Sequence, residues 1–115
     1  INSTLTPTLV DNLIFTITME GFLVVIENRK GNIIRITDIF KQFKKKKRSK
    51  IKPVGFIVGS ENIYLTTDHG RLIIIDIALG RTKSILKIDS DKVSRPFVLN
   101  QNLYIIKENS IIRLN

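Results

Sequence analysis

The sequence predicts an all-β chain of antiparallel four-stranded sheets, written about two and a half times along its length. Three observations carry this. Short runs rich in β-branched and aromatic residues recur, each about five residues long, as strands are. Glycine and asparagine punctuate the runs, which suits hairpins better than helices. The pattern also repeats: 21-GFLVVIENRKG-31 and 70-GRLIIIDIALG-80 each run from Gly to Gly over the same distance, with four apolar residues and an acid between.

Three blocks align. They open at Pro7, Pro53 and Pro96, which are 46 and 43 residues apart. Proline tolerates the first residue of a strand, where a missing N–H costs least. Each block then places Asp11-Asn12, Glu61-Asn62 or Gln101-Asn102 before an apolar run. Asn tolerates positive φ, so Asn12, Asn62 and Asn102 are expected in tight hairpins. The second strands are expected at Leu13 to Ile17, Ile63 to Thr67 and Leu103 to Ile106. Polar turns follow at Met19-Glu20-Gly21, Asp68-His69-Gly70 and Glu108-Asn109-Ser110. Gly21, Gly70, Gly31 and Gly80 suit the next two turns for steric reasons.

The third strands, Leu23-Val24-Val25-Ile26 and Leu72-Ile73-Ile74-Ile75, are apolar throughout. A strand with one wet face alternates, so a continuous run means that both faces are covered. Helix is expected only at 38-DIFKQFKK-45.

A period in the forties suits a four-stranded propeller blade. The predicted organisation is blade one over about 6–37, a basic linker over about 38–52, blade two over about 53–88 and a partial blade three over about 95–115. Closed propellers typically hold about 4–8 blades. Two and a half blades leave the ring incomplete, with an apolar sheet face at each end and self-association through those faces as the expectation. The chain begins at Ile1 and is expected to be part of something longer.

The order of Pro, apolar run, Asn, strand, polar-Gly turn, strand ending in an acid (Glu27 or Asp76), then Gly resembles the PQQ-like repeat of quinoprotein-type β-propellers. The resemblance covers nearly the whole chain. Quinoprotein enzymes of that family carry a docking Trp shortly after the repeat's last Gly. The corresponding segments here are 31-GNIIRI-36 and 80-GRTKSI-85, and the chain has no Trp. The resemblance therefore implies a non-redox member without a cofactor, akin to the outer-membrane β-barrel assembly lipoproteins of the family. What it implies is a non-enzymatic scaffold on the periplasmic side of the outer membrane, with the assembly complex as protein partner. A degenerate quinoprotein dehydrogenase is the alternative.

The charge of +9 is concentrated. Lys41, Lys44, Lys45, Lys46, Lys47, Arg48, Lys50 and Lys52 fall in 41-KQFKKKKRSKIK-52 with no acid among them, and elsewhere 11 basic residues face 10 acidic ones. Like charges repel, so a mobile, solvated rim loop is one expectation. Contact with an anionic partner is the other: an acidic protein, anionic lipid head groups or lipopolysaccharide, or nucleic acid. Phe40 and Phe43 are the only aromatics nearby, which disfavours nucleic acid.

Little else in the chain points to chemistry. There is no cysteine, so disulfides and thiolate metal sites are excluded. No apolar run approaches the ~18 residues needed to cross a bilayer as a helix. His69 is the sole histidine and is expected as a solvated turn residue; a pairing with Asp68 is conceivable, but neighbours in a turn seldom point the same way. The segment 89-DSDKVS-94 has some likeness to a calcium loop but lacks its Gly and its later Glu. Phosphate-cradling Gly motifs and a glycosidase-like carboxylate pair are absent.

Overall fold

The computed structural model describes residues 4–88, 93–107 and 110–114. The first sheet contains β1 (Thr8–Val10), β2 (Leu13–Ile17), β3 (Phe22–Glu27) and β4 (Ile33–Asp38), in that spatial order. After a short helix, α1 (Lys45–Arg48), the second sheet follows as β5 (Pro53–Val58), β6 (Asn62–Thr67), β7 (Arg71–Asp76) and β8 (Arg81–Lys87). The third has β9 (Phe97–Leu99), β10 (Asn102–Lys107) and β11 (Ser110–Arg113), with β10 in the middle. Every pairing is antiparallel and between sequence neighbours. The chain is thus a stack of propeller blades that does not close a ring.

Blades one and two are the same object built twice. The Gly21 N–H donates to the Thr18 carbonyl, and the Gly70 N–H to that of Thr67. The Asn28 and Ile77 N–H groups donate to Asn12 and Glu61. The Ile39 and Ile88 N–H groups donate to Gly21 and Gly70. Each member of a pair lies 49 residues after its counterpart. Both blades carry a bulge at the same place in the third strand, at Val25/Ile26 and Ile74/Ile75. Gly21, Gly31, Gly70 and Gly80 all take the positive φ their turns require. At Gly21 the need is double: φ is +96°, and a Cβ would lie 2.3 Å from the Phe40 ring.

Three local expectations are corrected. Asn12, Asn62 and Asn102 do not supply the positive φ; Asp11, Asn100 and Gln101 do. Two of the turns end one position earlier than expected, so Asn62 and Asn102 open strands while Asn12 stays in its turn. The prolines are not all equivalent either. Pro53 pairs with Thr67 as Thr4 pairs with Thr18, so its counterpart is Thr4 rather than Pro7. Pro7 and Pro96 do correspond, each standing one residue before its strand. Finally, the helix lies at Lys45–Arg48 rather than over 38–45. Asp38 ends β4, and Ile39 and Phe40 are buried in the core, which holds them in a turn instead of a helix.

The core lies between blades one and two. Phe15, Ile17, Leu23 and Val25 of the first meet Phe56, Ile63, Leu65, Ile73 and Ile75 of the second. Ile39, Phe40 and Ile51 from the connection complete the cluster. Leu72, on the opposite face of blade two, is also buried, so the all-apolar third strand is covered on both sides as its pattern requires. The turn residues Glu108-Asn109 lie outside the described residues, as does most of 89–94.

Candidate interaction surface

The basic connection runs from Ile39 to Lys52, between β4 and β5. It is longer than its counterpart. Blade one repeats in blade two after 49 residues, but blade two repeats in blade three after 40, as Asn62 and Asn102 show. The nine extra residues fall within the stretch that carries most of the lysines.

Hydrophobic anchors hold the segment at both ends. Ile39 and Phe40 are buried at its start and Ile51 at its end. Phe43 is half-buried and packs against the same core, edge-on to Phe40 at 5.8 Å between ring centres. The Lys52 N–H donates to the Asp68 carboxylate at 2.8 Å, and the Asp68 N–H returns a bond to the Lys52 carbonyl at 2.9 Å. Thr82 of blade two donates its hydroxyl to the Ile39 carbonyl. The lysines are exposed, as a solvated rim loop requires, while Ile39, Phe40, Phe43 and Ile51 before and among them supply apolar anchors that charge counting leaves out.

Arg48 differs from the other seven basic residues. Its guanidinium donates to the Asp38 carboxylate at 2.5 Å and to the Phe40 carbonyl at 2.8 Å. It clips the connection into a closed lobe and is half-buried. Lys41, Lys44, Lys45, Lys46, Lys47, Lys50 and Lys52 are exposed. Lys47 sits over the Phe43 ring at 5.7 Å, within reach of a cation–π contact. Among the described residues, Arg48–Asp38 is the only ion pair in the lobe. One turn of helix, Lys45–Arg48, spreads four consecutive basic residues around its axis. The lobe is therefore an anchored cluster of ammonium groups with no carboxylate within ion-pair distance among the described residues. A shallow cleft at its foot is lined by Met19, Glu20, Phe22, Lys45 and Ser49.

His69 and Asp68 are brought together after all. The His69 Nδ1 lies 2.8 Å from the Asp68 carboxylate. That carboxylate already accepts from the Lys52 backbone, so its role here is to pin the end of the lobe to the β6–β7 turn. Half of the His69 side chain is exposed, and no nucleophile adjoins it among its hydrogen bonds. Among the described residues, no cluster of three or more His, Asp or Glu side chains is arranged to hold a metal. Asp38 had a sequence signal, as the last acid before the basic run; Asp68 had none, since Glu61 comes first after the run and only the fold brings Asp68 beside Lys52.

No protein-family model matches the chain, and no curated protein matches it. The solved structures similar to it are β-propellers. The propeller domain of Myceliophteria thermophila Cps50 (Swd1) superposes with a TM-score of 0.66 at 15% identity, over 82% of this chain and 31% of that one. The WD40 propeller domain of Doa1 gives 0.66 at 12% identity, over 96% and 35%. The quinohemoprotein alcohol dehydrogenase of Comamonas testosteroni gives 0.65 at 23% identity, over 90% and 17%. At these identities the likeness establishes the fold. This chain spans about a third or less of each of these three structures.

Proposed function

We propose that this chain is a non-enzymatic protein-interaction scaffold, and that the basic lobe is its contact with an acidic partner surface. The observation that supports this is the mounting of the lysines. Seven exposed ammonium groups stand on a lobe held by four apolar anchors and an Arg48–Asp38 clip. A contact pre-ordered in this way loses little conformational entropy on binding. Its charge steers an anionic partner to the rim of the stack.

The narrower reading is an outer-membrane assembly scaffold of the BamB kind, acting on the periplasmic side. It rests on the PQQ-like repeat pattern and on the absence of Trp from the chain. A degenerate quinoprotein enzyme is the second reading, and it rests on the same PQQ-like repeat pattern. Adding quinone and calcium to the protein separates the two, since a redox-active chromophore in the holo-form would favour the enzyme.

The test of the scaffold is site-specific photocrosslinking in cells, with the crosslinker at Lys46 and a control at Lys83 on β8. Salt-sensitive crosslinks from position 46 to an acidic protein are expected, and the same protein in the outer-membrane fraction would support the narrower reading. Capture of lipid or nucleic acid alone would overturn the scaffold.

A further inference from the structure

β4 is the outer strand of blade one, and one of its edges is unpaired among the described residues. The outer strand of a propeller blade keeps an edge at the rim whatever the number of blades. Hydrogen-bond alternation tells which groups face out there. The Thr18 N–H donates to the Phe22 carbonyl, which turns the backbone groups of Phe22, Val24 and Ile26 toward β2. The Ile39 N–H donates to the Gly21 carbonyl, which turns those of Leu23 and Val25 toward β4, where Thr37 and Arg35 oppose them. The N–H and C=O groups of Ile36 and Asp38 are left pointing away from the sheet.

A cleft of about 600 Å³ opens beside this edge. Ile36, Thr37 and Asp38 line it, together with Lys41 and Gln42 at the start of the lobe and Arg81 at the start of β8. Lys41 and Arg81 are exposed, and the carboxylate in the lining, that of Asp38, is held by Arg48. The cleft thus brings free main-chain groups and positive charge to one place. The equivalent edge in blade two is guarded. β8 carries Arg81, Lys83 and Lys87, and lysine on an edge strand keeps other strands away. In β4 the one basic residue, Arg35, is turned across to the Ile77 and Ala78 carbonyls. Ile34 and Lys83 are the corresponding bulge residues, and Ile34 is 57% exposed. Lys83 is exposed with blade one in front of it, so this position belongs to the rim and not to a blade face.

We propose that an extended acidic segment of a protein partner adds to β4 as a fifth strand of blade one, its acidic end beside Lys41 and the lobe. Charge names the occupant. β4 runs directly into the lobe, so a strand laid along it meets the lysines at the Asp38 end. The main chain supplies affinity and the lysines fix the direction. Antiparallel pairing is the more stable, which puts the acids at the N-terminal end of the segment. This mode of binding rests on the lobe's being the contact with an acidic partner, and it says how that partner is held.

Fluorescence anisotropy of the chain with two C-terminally labelled peptides tests it. One has four Glu followed by three Thr-Val pairs; the other has four Glu followed by three Gly-Ser pairs, the same charge on a poor strand former. The Thr-Val peptide is expected to bind at least about tenfold tighter. N-methylation of all its Thr or all its Val removes alternate N–H donors. One set should abolish that advantage and the other should leave it, as only a paired strand requires. Ile36→Pro removes an outward N–H and no bond to β3, at a place where an edge strand tolerates proline. It is expected to weaken the Thr-Val peptide about fivefold and leave the Gly-Ser peptide unchanged. If circular dichroism shows that this variant unfolds, the N-methyl series on wild-type protein decides. Equal, salt-sensitive binding of the two peptides would overturn strand addition and leave the acidic-partner reading standing, as would N-methyl sets that both bind like the parent. Binding of neither peptide would overturn both.

Discussion

The two junctions between blades are built from the same repeat and differ in how they are sealed. Between blades one and two, the long connection inserts Ile39, Phe40 and Ile51 into the core. Arg35 of β4 also reaches across, donating to the Ile77 and Ala78 carbonyls. A Cβ on Gly80 would lie 2.7 Å from that side chain, and the φ of +65° there favours glycine. Between blades two and three the connection is nine residues shorter, and among its described residues Val93 alone is buried, with no aromatic beside it. Val98, Tyr64, Leu72 and Ile74 line an open cleft there instead. The contrast shows that the basic lobe has two layers. Its inner layer is apolar and closes a junction, and its outer layer is cationic and faces solvent.

The largest expected effect comes from removing the wedge. Phe40→Ala leaves a cavity in a fully buried site and should cost about 3–5 kcal/mol in denaturant unfolding. A loss under about 1 kcal/mol would mean that the wedge does not seal the junction. Gly21→Ala attacks the same contact from the other side, because the new Cβ meets the Phe40 ring and the backbone keeps its positive φ. A loss of roughly 1–3 kcal/mol is expected, visible as a lower midpoint at unchanged m-value. Arg48→Ala opens the lobe's clip. The pair is about one-third exposed, so solvent screens it and the loss should be about 1 kcal/mol. Hydrogen exchange should show the cost falling on residues 39–51 more than on the sheets. Val98→Ala in the second junction should change stability by under about 0.5 kcal/mol, since the side chain is 59% exposed. An effect comparable to that of Phe40→Ala would erase the contrast between the junctions.

Much of the fold was legible because strands and turns are local. The second strand of blade one runs from Leu13 to Ile17 as its composition predicts, and the four glycines sit where the turns need them. The errors were local too, but of a kind that composition does not resolve. Asn suits positive φ, yet the register of the hairpin decides which residue receives it, and that fell on Asp11, Asn100 and Gln101. The site was less legible. Counting charges located the lobe, but whether it is loose or anchored depended on Phe40, Phe43 and Ile51, whose partners lie in two different sheets.

By itself the sequence determined the all-β class, the repeat and the both-sides-covered third strands, because period and turn chemistry act over a few residues. It also determined that eight cations share one connection. Only the tertiary structure decided the true spacing of the repeat, the clip of Arg48 on Asp38 and the bond of Lys52 to Asp68. It alone decided which face of each blade is covered. Strand periodicity states that a face must be buried, but the surface that buries it lies a whole blade away, and burial is settled only when the sheets stack.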